Sequence, residues 1–304
     1  MKNIFKNNKI LIIVVAILLG WGLLAANDYR NWWNQTVEAN EYYMEKCETE
    51  YLNDPQYKQY CSELAANYPL KKSDTISIFF DILGNYSLRF IQIVAPLFIV
   101  TVAIWNFHKQ LKTGFIKNIM TRMEYKKYII SNIVRSWGYA LILPVFLIIM
   151  FFISYLLSGH FDVRYTIENN PGYLFIDSKY IDVFPQFVFT YLLTLILHSI
   201  FWINLGYILS KKSRNIIVML LSFFLTYIVI FMASEILIGG FILSNIFNIR
   251  TAMNYLNLSN IWVYEGINNL MIPVVYGLFL AVTSLLFVIK VYKDREGVII
   301  ENEK

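Results

Sequence analysis

The sequence predicts an all-α polytopic membrane protein with six transmembrane helices. Two observations carry this reading. Hydrophobic residues make up 57% of the 304 and charged residues only 15%, with a mean hydropathy of +0.50, whereas soluble domains are about a quarter charged. The apolar residues also fall in blocks long enough for a bilayer, which needs roughly 20 residues per helix. Basic residues cluster beside these blocks, so the net charge of +5 reads as a topology signal rather than a nucleic-acid surface. Residues 1–304 form a single membrane-spanning domain in this reading, with 27–74 as an extracytoplasmic insertion.

The first span is residues 10–26, preceded by Lys2, Lys6 and Lys9. A basic start, an apolar core and the small residues Ala25 and Ala26 also fit a cleaved signal peptide. The charge balance given below favours an uncleaved helix. Residues 27–74 are polar, tyrosine-rich and mostly acidic, and they hold both cysteines. Tyr43, Cys47 and Tyr51 share one helical face, and Tyr57, Cys61, Leu64 and Tyr68 share another. Asn53, Asp54 and Pro55 supply the turn, because proline disfavours helix in the residue before it. Folding about Asp54 sets Cys47 against Cys61, Tyr51 against Tyr57 and Met44 against Leu64. The expectation is a disulfide-stapled helical hairpin in an oxidising compartment, the alternative being two unpaired thiols.

The second span is expected over 75–105, longer than a bilayer requires, so its first turns project outward. Asp81, Asn85 and Arg89 recur every fourth residue as a polar stripe, with Gln92 deeper and Pro96 as a kink site. The stripe reads either as intrahelical pairing or as the outer mouth of a substrate path. The third span is 138–157. A small β-hairpin around Asn169, Asn170, Pro171 and Gly172 fits the loop that follows. The fourth span, 185–209, carries His198 near its midpoint and Asn204 nearer the cytoplasm. The fifth, 216–238, places Glu235 near its outer end, either as an exposed interfacial carboxylate or as a functional one. Gly239 and Gly240 are expected to interrupt it, leaving 241–269 as short interfacial or re-entrant helices anchored by Trp262 and Tyr264. The sixth span is 270–291.

Charge tests this map. With both termini cytoplasmic, 17 of the 26 Lys and Arg residues lie inside and only five of the 21 acids do. That is the basic bias expected beside cytoplasmic helix ends. Composition is also that of a low-GC bacterial chain, which points to a bacterial cell membrane.

Chemistry-bearing motifs are absent. There is no GxxxxGK[ST], HExxH, GxSxG or CxxC, and His108, His160 and His198 are far apart. No residue is assigned catalysis, metal binding or nucleic-acid binding. His198 alone near mid-membrane reads as a helix–helix hydrogen-bonding residue, and Asn204 as packing glue.

One stretch stands apart. Residues 106–137 hold seven Lys and Arg against the single acid Glu124. Phe107, Leu111, Phe115, Ile119 and Met123 fall four apart on one face, and Gly114 divides the stretch into two helical pieces. It reads as a basic amphipathic elbow at the cytoplasmic surface. Either it is a solvated loop that sets topology, or it is a docking surface for a cytoplasmic partner.

The run Thr113, Gly114, Phe115, Ile116, Lys117, Asn118, Ile119, Met120, Thr121 and Arg122, followed by Tyr125, Lys126, Lys127, Tyr128 and Ile129, resembles the permease subunits of type-2 ABC exporters. That family has a short glycine-started helix between spans two and three, six spans, cytoplasmic termini and a broken outer segment before the last span. This chain departs from it in having Lys112 and Thr113 where a glutamate often precedes the glycine, and in its large outer hairpin. The resemblance implies two permease subunits, identical or not, forming a pathway in contact with membrane lipids. Separate ATPase subunits below would bind ATP and magnesium. Gly114, Phe115, Ile116, Lys117, Ile119, Met120 and Arg122 would form the coupling helix. A peptide, lipid-like or amphipathic drug-like substrate is implied. Two other classes stand beside it: a receptor or immunity-type protein that captures a peptide with its outer hairpin, and an intramembrane enzyme using His198 or Glu235.

Overall fold

A computed structural model describes residues 9–51, 56–66, 74–84, 86–113, 124–161, 184–213, 215–249, 256 and 269–293, with only the backbone for 84, 86–92 and 184. All regular structure among these residues is helical. The helices are α1 (Lys9–Thr49), α2 (Lys58–Ala66), α3 (Thr75–Gly84), α4 (Tyr86–Lys112), α5 (Tyr125–Ser136), α6 (Ile142–Ser158), α7 (Phe184–Lys212), α8 (Ile216–Phe231) and α9 (Met271–Val291). A 3₁₀ segment, Trp137–Leu141, joins α5 to α6, and a π-helical segment, Met232–Ile246, continues α8. Six helical stretches are long and apolar enough to cross a membrane: Lys9–Thr49, Ile93–Lys112, Tyr125–Ser158, Pro185–Lys212, Ile216–Ile246 and Met271–Val291. The chain is therefore an all-helical protein with six candidate spans, as the apolar blocks predict.

Four boundaries differ from expectation, each for a local reason. The first helix does not end at residue 26 but runs to Thr49, because 27–49 contains no proline or glycine to stop it. The second span is two helices, α3 and α4, and α4 extends through Phe107 and Leu111, whose burial holds the added turns in place. The third span starts at Tyr125, so the second half of the basic elbow is its first three turns. The fifth span does not break at Gly239 and Gly240 but passes through them as a π-helix. In hydrocarbon every backbone N–H needs an internal acceptor, so an apolar run stays helical even across glycines. The expected β-hairpin, the turn at 53–55, Asn85, Trp262, Tyr264 and the coupling residues from Gly114 to Arg122 lie outside the described residues.

The chain divides into two compact units. One comprises residues 20–88 and 149–173. The cross-hairpin contacts that the sequence predicts are present: Cys47 and Cys61 are disulfide-bonded, and the rings of Tyr51 and Tyr57 stack at 4.3 Å. Tyr43 meets Tyr60 edge-on at 6.4 Å. In the same unit Phe79 packs on Phe151 and Phe151 on Phe161, while Thr75 bonds the carbonyl of His160. Asp74 accepts the backbone N–H of Ile76 at 3.0 Å and so caps α3. Gly159, at φ 80°, ends α6 in the left-handed conformation that glycine adopts without strain.

The disulfide closes a 14-residue separation, a loop for which closure is worth about 3 kcal/mol. Reduction, or Cys47→Ser with Cys61→Ser, is expected to speed amide exchange in α2 and the end of α1 on the order of a hundredfold. Hydrogen-exchange mass spectrometry on the full chain reads this directly. Unchanged exchange would mean that the hairpin is held by its aromatic contacts instead.

The other unit comprises residues 1–19, 89–148 and 174–304. Within it α7 packs more extensively on α9 than any other described pair of elements. Gly206 makes one close approach possible, since a Cβ there would strike Ile104 and would come within 2.7 Å of Val100. Asn215 starts α8 by accepting the N–H of Val218 at 2.8 Å.

Candidate functional site

Two groups of polar residues are buried in this second unit. The first sits where α4, α5, α7 and α9 carry their basic residues. The hydroxyl of Tyr128 on α5 donates to Gln110 Oε1 on α4 at 2.6 Å. That bond joins the two helices on either side of residues 114–123. Around it, His108 Nδ1 bonds Ser210 at 2.9 Å. Ser136 donates to the carbonyl of Ala103 at 3.2 Å, and the Tyr207 hydroxyl lies 2.6 Å from Ser136. Tyr292 donates to the carbonyl of Tyr207 at 2.9 Å, and Lys211 Nζ to that of Val291 at 2.6 Å. Phe107 packs against both Tyr207 and Tyr292. Deeper in the bundle, Trp137 Nε1 donates to Asn204 Oδ1 at 3.0 Å, while Asn204 Nδ2 donates to Ser284 at 3.0 Å and to the carbonyl of Ala281 at 3.3 Å. Asn204 is thus the interhelical glue its position predicts. In a medium without competing water, such bonds fix helices laterally and axially.

The second group contains His198 and Glu235. His198 is buried, and its Nδ1 bonds the carbonyl of Thr194 at 2.8 Å. A carbonyl only accepts, so Nδ1 carries the proton. The expected interhelical bond is therefore replaced by one within α7. The ring lies against Gly277, where a Cβ would come within 3.4 Å, and beside Tyr276 and Trp202 at 6.1 and 6.4 Å. Trp202 meets Tyr227 edge-on at 6.2 Å. Glu235 is 7% exposed, so the reading of an exposed interfacial carboxylate is corrected. It sits in the first turn of the π-helical segment, on the same continuous helical span as Tyr227. Among the described residues, His198 Nε2, Trp202 Nε1 and the Tyr227 hydroxyl are buried without a hydrogen-bond partner. Buried polar groups are normally satisfied, and π-helical turns are frequent at functional sites. The cluster is a buried polar and aromatic patch with one carboxylate. It holds no nucleophile–base pair, and no group of three or more metal-binding side chains occurs among the described residues.

Sequence reasoning found His198 and Glu235 but not Trp202, Tyr227 or Tyr276. The signal was present: His198 and Trp202 are four apart on α7, and Tyr227 lies one helical turn beyond Phe223, with which it stacks. Ring–ring spacing of that kind is also what lipid-facing helices show, so only the burial of Trp202 and Tyr227 identifies them.

Asp81 stands on α3 and Arg89 on α4, so the four-residue stripe is divided between two helices.

Comparison with protein-family models, with curated proteins and with solved structures found no match to this chain.

Proposed function

We propose that this chain is the permease subunit of a type-2 ABC exporter. It shapes a substrate pathway with a second permease subunit and is driven by separate cytoplasmic ATPase subunits. The single observation that carries the reading is the glycine-started basic run from Thr113 to Arg122, set between the second and third spans and flanked by two helices bonded through Tyr128 and Gln110. In this reading Gly114 to Arg122 seats in a groove on the ATPase. Phe115, Ile116, Ile119 and Met120 supply its apolar contact, and Lys117 and Arg122 its polar rim. The hydrogen bonds around Ser136, Tyr207 and Tyr292 make the ends of α4, α5, α7 and α9 move together, so a push on the elbow becomes a shift of helices. ATP binding drives transport only if it favours one membrane conformation over another. ATP and magnesium stay with the ATPase. His198 and Glu235 are the buried ionisable residues of the pathway, and intramembrane ionisable groups mark such paths. The basic side faces the cytoplasm of a bacterial cell, both termini lie inside, and the stapled hairpin lies outside. The substrate class is a peptide, a lipid-like molecule or an amphipathic drug.

The test is copurification. The tagged chain is extracted from its native membrane in mild detergent and its subunits are identified. A stoichiometric ATPase bearing a phosphate-binding loop is the expected result. A folded chain that repeatedly purifies without one overturns the proposal. The weight then passes to a receptor or immunity-type protein, for which the rigid outer hairpin is the specific support.

A further inference from the structure

Between α5 and α9, at their basic ends, lies a groove of about 390 Å³, within the roughly 300–1,000 Å³ of small-molecule sites. Its walls are aliphatic: Ile129 and Ile133 from α5, Leu286 and Ile289 from α9. Leu286 and Ile289 are 60% and 41% exposed, although they belong to a candidate membrane span. Its mouth is cationic: Lys126, Lys290 and Lys293 all line it. We propose that this groove binds an anionic phospholipid, its phosphate held by the three lysines and the start of an acyl chain lying on the isoleucines and leucine.

Charge and shape both favour a lipid. An exposed aliphatic wall within a spanning helix faces hydrocarbon, which supplies the chain of the ligand from the same direction as the wall. A lysine cluster at the end of that wall falls at head-group level, where cations are drawn to an anionic surface. Lys211 adds positive charge behind the wall, its Nζ lying 5.8 Å from the centre of the Tyr292 ring. Tyr292 is itself fixed by its bond to Tyr207, so that side of the groove is preformed. Tyr125 also lines the groove, is 9% exposed, and its hydroxyl has no hydrogen-bond partner among the described residues. Glu124, at the N-cap of α5, makes no side-chain cap bond, and helix N-termini favour anions. The one nearby described acid is Glu124, which is exposed, so the local balance stays positive. This inference does not rest on the exporter reading.

Native mass spectrometry of the full-length chain in detergent tests it. The probes are dioleoyl phosphatidylglycerol, dioleoyl phosphatidylcholine and inorganic phosphate. Phosphatidylglycerol is expected to bind at one saturable site, at least tenfold more tightly than phosphatidylcholine, with no adduct from inorganic phosphate alone. Lys126→Ala with Lys293→Ala should weaken that site at least fivefold. Both side chains are exposed, so the variant keeps its packing. The control Lys109→Ala with Lys127→Ala removes two exposed lysines that do not line the groove and should leave binding unchanged. Equal binding of both lipids, equal weakening by the control pair, or full occupancy by inorganic phosphate would each overturn the proposal. The first and second would mean diffuse surface charge, and the third a plain anion site.

Discussion

Replacing Asn204 with leucine is expected to destabilise the chain by on the order of 3 kcal/mol. Asn204 is fully buried and joins three elements: it accepts from Trp137 and donates to Ala281 and Ser284. Individual hydrogen bonds between membrane helices contribute about 0.6 kcal/mol on average and up to about 1.7. Losing these contacts is the smaller part. Leucine also leaves the Trp137 N–H without its acceptor, a penalty of about 1–3 kcal/mol. Ser284→Ala is the graded comparison. Asn204 then keeps its bonds to Trp137 and the Ala281 carbonyl, so the loss should be under about 1 kcal/mol. Unfolding of both variants in mixed micelles gives the order directly. Equal losses would place the strength of the network in Ser284 rather than in Asn204.

The second large effect concerns the elbow. Ile119→Glu with Met120→Glu is expected to remove the copurifying ATPase almost completely while leaving the amount of membrane chain unchanged. Two adjacent carboxylates in an apolar contact would be buried without partners, and that desolvation is strongly unfavourable. A basic rim of Lys117 and Arg122 would not rescue them, because charges at a wet rim contribute little. Substituting Lys117 alone should therefore weaken association modestly and in a salt-dependent way. The two variants together separate an apolar seat from simple charge attraction. If Lys117→Ala alone abolished copurification, the contact would be electrostatic.

Much of the fold is legible in the sequence because hydrocarbon permits few alternatives. Apolar blocks of bilayer length have to be helical, and that constraint alone places all six candidate spans. The hairpin is legible for a different reason. One register about Asp54 satisfies both cysteines and the Tyr51–Tyr57 pair, and both contacts are present. Helix ends are less legible where no stop signal exists. Residues 27–49 are polar yet hold no glycine or proline, so polarity marks the end of the hydrocarbon but not of the helix. Gly239 and Gly240 mislead in the opposite sense: two glycines permit a break, and the surrounding apolar residues do not need one.

The candidate sites are legible only in part. Asn204 declares itself, since an amide in an apolar block has to find partners. Glu235 does not, because it is buried on the π-helical path of Met232–Ile246, which does not follow from spacing. Ser136, Tyr207 and Tyr292 come together from residues 71 and 85 apart in sequence, a coincidence that one-dimensional periodicity cannot register. The basic elbow is legible as charge, and its bracing through Gln110 and Tyr128 is not.

The central claim is that this chain forms a pathway that a separate ATPase moves. ATP hydrolysis by the purified membrane sample, compared with that of the same chain carrying Ile119→Glu and Met120→Glu, tests it most directly. The account predicts vanadate-sensitive hydrolysis in the first sample, carried by a second polypeptide. It predicts background hydrolysis in the variant, with its Cys47–Cys61 bond intact. Hydrolysis retained by the variant, or found in the membrane chain after every other polypeptide has been removed, would contradict it.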